Sequence, residues 1–296
     1  MKIVRLKRYA KNPILMPVRQ SSWECKHVSN AAATIYNEKV YILYRAEGNE
    51  LRENVNWPVA KIGLAISMDG FNIDCRYENP ILEPGGIYQN AVEDPRITKI
   101  GDIYYIVYVG TSYFGDRILL AMTKDFRTLK KEGLLMPDVS QRTSGLFPEK
   151  INGEYVLLHR ILPNIWISYS KDLKEWHNSK VIMKTRLNSW EELKIGIGAP
   201  PIKTKNAWLL FYHGVDRDLT YKLGIAWLDL KDPSKVIKRQ EEPILEPEED
   251  YEREGFTPNV VYTCGAVEKN GQYLVYYGCD DEVLAVATVK KEDVKI

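Results

Sequence analysis

The chain of 296 residues has no surplus of charge: 41 Lys and Arg against 40 Asp and Glu leave a formal +1. That leaves nothing to attract a phosphate backbone or an anionic lipid surface, so nucleic-acid and membrane-surface binding are excluded as default readings. No run approaches 18 uninterrupted apolar residues, and the start MKIVRLKRYAKNP lacks an apolar stretch long enough for a secretory signal, so a cytoplasmic protein is expected. Four cysteines, Cys25, Cys75, Cys264 and Cys279, form no CxxC pair. This argues against a disulfide framework or a zinc knuckle, and the four are read as buried thiols. GxSxG, Walker, GxGxxG and HExxH motifs are missing, and the four histidines do not cluster with carboxylates, so neither metal nor cofactor is expected. Helical periodicity is nearly absent. Phenylalanine is scarce too, at 6 residues against 19 Tyr and 7 Trp, so the rings this chain uses mostly carry a polar handle.

What is present repeats. A short apolar and aromatic run recurs five times, as YILY at 41–44, YIVY at 105–108, YVLL at 155–158, WLLF at 208–211 and YLVY at 273–276. Each follows a turn signal (YNEK, IGD, INGE, TKNA, KNGQ) of the Asn/Gly/Asp kind that makes tight β connections. A second strand-like segment follows each run, and three of these end in a Ser/Thr-x-Asp turn, at Ser67/Asp69, Thr123/Asp125 and Ser170/Asp172. The spacing suits a blade of four strands with loops, which need roughly 40–50 residues. The pattern predicts an all-β fold, a five-bladed β-propeller formed by residues 1–296 as one domain, with a central funnel. A β-sandwich would not produce five repeats with the same internal order. Three Pro-rich segments, NPILMP at 12–17, NPILEP at 79–84 and EPILEP at 242–247, read as structural edge pieces between blades.

Residues that break the repeat are the candidates for chemistry. EDPR at 93–96 puts two carboxylates side by side; in an extended strand only one of Glu93 and Asp94 can face a funnel. A surface turn closed by an Asp–Arg pair is the plain alternative. Arg45, Arg160 with its neighbour His159, and His213 end three of the repeated runs. Arg142 and Lys194 lie in segments leading into two of them. If those strands are innermost, the cations converge, and three permanent cations with a His suit a phosphate. Taken singly, each could equally be a solvated surface charge. Tyr88, Tyr113, Trp166 and Tyr221 flank the repeats and could stack on sugar rings, although most rings must be blade packing.

Eight ordered motifs carry a resemblance: SNAAA at 29–33, LYR at 43–45, EDPRIT at 93–98, LFPEKINGEYVLLHR at 146–160, KIGIGAPPIKT at 194–204, WLLFYHGV at 208–215, LGIAWLDLKDPSKVI at 223–237 and PNVVYTCGAV at 258–267. Together they span nearly the whole chain, which resembles glycoside hydrolase family 130, the β-mannoside phosphorylases and related β-mannosidases. The resemblance implies a five-bladed propeller and reversible, inverting phosphorolysis of β-mannosides to α-mannose 1-phosphate. Inorganic phosphate would be the co-substrate and no cofactor would be used. It implies that Asp94 is the catalytic acid, acting through the 3-hydroxyl of the mannosyl ring. Arg142, Arg160, Lys194 and His213 would bind phosphate, with Tyr221 near it and Thr143 standing where an Asn often follows the first Arg. Asn30, Arg45 and Asp281 would contact the mannosyl ring. Glu93, where some mannosylglucose phosphorylases have Tyr, would lie toward the acceptor sugar, whose linkage is shaped by residues 47–58 and the loop around Tyr113. Homo-oligomers are common in the family.

Two other readings remain at this point. An inverting β-mannosidase would use a carboxylate such as Glu149 or Glu192 to activate water, and a non-catalytic carbohydrate-binding propeller would need no phosphate pocket. Phosphate is already a nucleophilic anion, so cations that hold it can stand in for the second carboxylate that an inverting hydrolase requires.

Overall fold

The computed structural model describes residues 3–52, 56–136 and 139–296. Five small antiparallel sheets form a five-bladed propeller. Blade 1 comprises His27–Tyr36, Lys39–Leu51, Pro58–Ser67 and Cys75–Arg76. Blade 2 comprises Ala91–Ile100, Ile103–Thr111, Arg117–Thr123 and Lys130–Met136, and blade 3 Ser144–Leu146, Tyr155–Ile161, Asn164–Ser170 and His177–Met183. Blade 4 has Lys194–Ile197, Trp208–Val215, Tyr221–Leu228 and Val236–Arg239, with Ile202–Lys203 extending its first strand. Blade 5 takes Val261–Lys269, Gln272–Cys279 and Val283–Lys290 from the C-terminal end and its outer strand, Lys7–Arg8, from the N-terminal end, so the chain ends close the ring.

The repeated aromatic run is the second strand of each blade, not the innermost one. The first strands pack around the axis, and their sequences (SNAAA, EDPRIT, KIGI, VYTCGAV) share little beyond strand character. The repeat therefore marks the layer where packing is most uniform. The first strands vary because they carry the funnel.

Five larger hydrophobic clusters lie one at each interface between neighbouring blades. The surplus of Tyr over Phe has a structural cause here. Tyr44, Tyr212 and Tyr277 sit at equivalent, fully buried positions on the second strands of blades 1, 4 and 5. Each phenol meets an Arg–Glu pair. Tyr44 donates to Glu24 (2.8 Å), which also receives Arg76 (2.6 Å). Tyr277 donates to Glu252 (2.9 Å), which receives Arg8 (2.9 and 2.8 Å). Arg239 donates to Tyr212 (3.1 Å) and pairs with Glu191. In each case a carboxylate from the inlet loop, a phenol from the second strand and an Arg from the outermost strand are bound into one knot across the blade. Phe could fill the same volume but would leave the buried carboxylate one partner short.

Local signals were realised as well. Asn37 and Glu38, Asn152 and Gly153, and Asn270 and Gly271 adopt positive φ in the first hairpins of blades 1, 3 and 5. The Ser/Thr-x-Asp turns close on themselves, with Ser67, Thr123 and Ser170 each accepting an amide three residues on (2.8–2.9 Å). The three Pro-rich segments bridge the third strands through Leu15 to Leu284, Leu82 to Ile62 and Leu245 to Leu223, as expected of edge pieces. The cysteines depart from expectation. All four are free, but only Cys264 and Cys279 are buried, while Cys25 is intermediate and Cys75 exposed. Among the described residues no helix is long and apolar enough to cross a membrane.

Because Arg8 belongs to the closing strand, its knot tests the closure. Arg8→Ala should cost roughly 3–5 kcal/mol by leaving the fully buried Glu252 without its cation. Equilibrium urea unfolding would measure it, and Tyr277→Phe should cost only about 1 kcal/mol.

Candidate active site

The mouth of the funnel lies where first strands begin and second strands end. A cavity of about 210 Å³ opens there, lined among others by Asn30, Arg45, Asp94, Arg142, Arg160, Lys194, Tyr221 and Asp281. All five blades contribute to it. Eight residues singled out in the sequence thus converge, although their positions run from 30 to 281.

The local device that presents Asn30 and Asp94 is a bulge. The first strand slips register against the second between Ser29 and Ala32 in blade 1, between Glu93 and Arg96 in blade 2 and between Thr263 and Gly265 in blade 5. Asn30 and Asp94 take positive φ, 47° and 49°, which Asn and Asp tolerate better than other residues with a Cβ. Of the two neighbouring carboxylates only Asp94 lines the cavity, as expected, although the bulge brings both close to one arginine. Strict alternation is broken at Asp94, and the Arg45 guanidinium lies 3.6 Å from Glu93 and 3.5 Å from Asp94.

Asp94 is buried at the head of a small network. Asn30 donates to its Oδ1 (3.0 Å), and the Tyr262 hydroxyl reaches Oδ2 (3.3 Å). Asn30 and Arg45 also hold Asp281, at 3.1 and 2.8 Å. Arg96, read as a possible surface partner of Asp94, is neither exposed nor paired with its carboxylate. It is fully buried, donating to the backbone carbonyls of Asp94 (3.0 Å), Ile197 (3.0 Å) and Gly198 (2.8 Å) and to the Tyr262 hydroxyl (3.0 Å).

The cations divide into two sets. Arg45 and Arg142 are neutralised locally: Arg45 by Asp281 and its neighbours, Arg142 by Glu93 and by Asp116 (3.2 Å). Arg160 and Lys194 have no carboxylate within 4 Å among the described residues. Arg160 lies 3.4 Å from His213 Nε2, and Lys194 sits over the Tyr221 ring at 5.1 Å. Burial lowers the pKa of Arg160, and burial with Arg160, Arg96 and Lys194 nearby pushes His213 well below its usual value, so that imidazole is neutral at neutral pH. Arg160 and Lys194, without a carboxylate partner among the described residues, thus share the cavity lining with Asp94 and Asp281.

Three predicted residues stand behind this first layer. His213 is fully buried and backs Arg160, and its Nδ1 has no partner. Thr143 is likewise buried with an unpartnered hydroxyl, packed against Gly196. Glu93 has both oxygens taken, by Arg52 (2.5 Å) and Arg142. Burial would raise its pKa, but Arg142, Arg45 and Arg52 outweigh that and hold it at about 2. It is a permanent anion that orients arginines, not a free sugar ligand.

Other candidates fall away. His159 points into the blade, bonded to Gln141 (3.0 Å) and Ser168 (2.8 Å), because it alternates with Arg160 along one strand. Glu149 lies outside the cavity, half-exposed and clasped by Lys203. Glu192 pairs with Arg217 (3.0 Å) and the Asn188 amide. Neither can activate a water at the cation wall. Of the mouth aromatics, Tyr221 lines the main cavity and Tyr113 a neighbouring one of about 200 Å³. Trp166 and Tyr88 line neither. Of residues 47–58, positions 53–55 lie outside the described residues. Tyr262, Thr257 and Val260 also line the cavity and were missed. Tyr262 lay in a quoted motif, but nothing in its spacing separated it from the other 18 tyrosines.

A propeller whose funnel is lined by Asp94 and by cations without a carboxylate partner among the described residues has counterparts among carbohydrate-active proteins. The glycoside hydrolase family 130 model, described as beta-1,4-mannooligosaccharide phosphorylase, matches residues 5–295, and the chain belongs to that family. It is 43% identical over 300 residues to a 1,2-beta-oligomannan phosphorylase of Thermoanaerobacter sp. (strain X514), covering 99% of this chain and 100% of that one. It is 47% identical over 302 residues to a beta-1,2-mannobiose phosphorylase of the same organism, covering 98% and 99%. Among solved structures it resembles the beta-1,2-mannobiose phosphorylase from Listeria innocua in complex with beta-1,2-mannobiose, with TM-score 0.90, 30% identity and 98% of each chain covered.

The Glu93 clamp has a pH signature. Its folded pKa of about 2 lies below the unfolded value of about 4.3, so its stabilisation is full above pH ~4.5 and is lost as pH falls through about 2. Glu93→Gln should therefore narrow the stability difference between pH 6 and pH 3 seen by thermal unfolding of the wild type.

Proposed function

We propose that this protein is a β-mannoside phosphorylase acting on β-1,2-linked manno-oligosaccharides, with residues 1–296 forming one catalytic unit. The observation that carries the reading is the pair Arg160 and Lys194, cationic and without a carboxylate partner among the described residues, in the same cavity as Asp94. Support for the linkage comes from the two full-length relatives with β-1,2 names.

In this mechanism the mannosyl ring occupies the space between Asn30, Arg45 and Asp281. Phosphate rests on Arg160 and Lys194, with Arg142 completing the cradle and Tyr221 at its edge. Neutral His213 and the Thr143 hydroxyl support that cradle from behind. A phosphate oxygen attacks the anomeric carbon from the cation side as the glycosidic C–O bond breaks on the opposite side, inverting the centre. The Asp94 proton passes by way of the 3-hydroxyl to the leaving oxygen, and Asp94 regains a proton from solvent. Among the described residues the cavity lining holds two carboxylates, Asp94 and Asp281, and Arg45 and Asn30 occupy Asp281, so none of the described carboxylates besides Asp94 is free there to act as a general base for water. Hydrolysis is disfavoured on that ground. A cytoplasmic location suits the reaction, which consumes inorganic phosphate and retains bond energy in a sugar phosphate.

Incubation with β-1,2-mannobiose should yield mannose 1-phosphate only when phosphate is present. Equal release of mannose with and without phosphate would overturn the reading. Asp94→Asn should lower kcat by about 10²–10⁴-fold. Arg160→Ala should raise KM for phosphate by about 10- to 100-fold, measured by initial rates, as expected for loss of a charge-assisted contact of roughly 1.5–3 kcal/mol.

A further inference from the structure

Two exposed aromatic rings stand on the lip of the funnel between blades 5 and 1. Phe256, in the inlet loop of blade 5, is 44% exposed, and Trp57, in the hairpin before the third strand of blade 1, is 47% exposed. Their ring centroids are 5.6 Å apart, and His27 packs behind Phe256 at 4.4 Å. Large exposed rings lose free energy to water, and a neighbouring pair of them on a sugar enzyme calls for an occupant.

Both rings are anchored to the catalytic network. The amides on either side of Phe256 are fixed to one residue, with Gly255 N–H donating to the Asp280 carboxylate (2.7 Å) and Thr257 N–H to the Asp280 carbonyl (2.8 Å). Asp280 is fully buried and immediately precedes Asp281, and Thr257 itself lines the cavity. On the other side Arg52 donates to the Trp57 and Pro58 carbonyls, through its amide (2.8 Å) and guanidinium (3.0 Å), and also to Glu93 beside Asp94. The rings are thus tied to residues of the sugar pocket, through Thr257 and Asp280 on one side and Arg52 on the other.

Direction decides what that surface holds. In a ring of five, the gap between blades 5 and 1 lies across the axis from blade 3, which carries Arg142 and Arg160. Inversion requires the leaving group to depart opposite the incoming nucleophile. The leaving sugar therefore points toward the Trp57–Phe256 lip.

We propose that Trp57 and Phe256 form a stacking platform for β-mannosyl units beyond the bond that is cleaved, so that this lip sets the preference for longer chains over the disaccharide. The inference rests on the phosphorylase reading for its direction. Its occupant is the reducing-end portion of a neutral manno-oligosaccharide, held by ring faces and not by charge.

The test is equilibrium binding of β-1,2-mannobiose and β-1,2-mannotetraose by isothermal titration calorimetry, without phosphate, to the wild type, Phe256→Ala, Trp57→Ala and the conservative Phe256→Trp. The tetraose-to-biose affinity ratio should fall about tenfold in each Ala variant and be retained in Phe256→Trp. An unchanged ratio in the Ala variants would overturn the platform while leaving the phosphorylase reading to its own phosphate-dependence assay. Failure of the wild type to bind either sugar would overturn both.

Discussion

The funnel depends on one buried guanidinium. Arg96 has no carboxylate partner; its donors go instead to three backbone carbonyls and a phenol drawn from blades 2, 4 and 5. A fully buried cation is costly unless its donors are satisfied, and here the satisfaction is possible only when those three blades stand at the correct distance and tilt. One of the carbonyls belongs to Asp94, so the same contact that ties blades across the axis also fixes the backbone of the residue proposed as the acid. The Tyr262 hydroxyl, accepting from Arg96 and reaching Asp94, makes the side chain part of the same frame.

Above this floor the site is organised by unequal pairing of charge. Arg45, Arg52 and Arg142 are matched to Asp281, Glu93 and Asp116 and serve as struts, whereas Arg160 and Lys194 are left with a neutral imidazole and a tyrosine face. A dianion entering such a site gains most from the unmatched pair, because the matched arginines have already spent much of their field on fixed carboxylates. A chain of net charge +1 can therefore hold a strong local anion site. The sum says nothing about the pairing.

Much of this was legible beforehand. The five blades were counted from aromatic runs because the second strands meet nearly identical packing in every blade, and the turns were marked by Asn, Gly and Ser/Thr-x-Asp. The sequence reading and the resemblance it carries also named eight of the residues that line the cavity. Some readings of the site do not hold. The repeated strand is the second of each blade, and the inner strands escape the repeat because they differ from one another. Glu149 and Glu192 were considered as bases, though their partners, Lys203 and Arg217, are remote in sequence and turn them away.

The sequence alone thus determined the strands, their number, the turns and the identity of the polar residues, since each follows from short-range patterning or from motif order. Which carboxylate clamps which arginine, which cations stay unmatched, and where Tyr262 and Arg96 sit were decided by the closing of the ring. Those contacts join residues up to 251 positions apart, as between Asn30 and Asp281, and form only when the last blade meets the first. The positive φ at Asn30 and Asp94 belongs to the same category, because the bulges that hold it are defined by register against a neighbouring strand and not by the local chain.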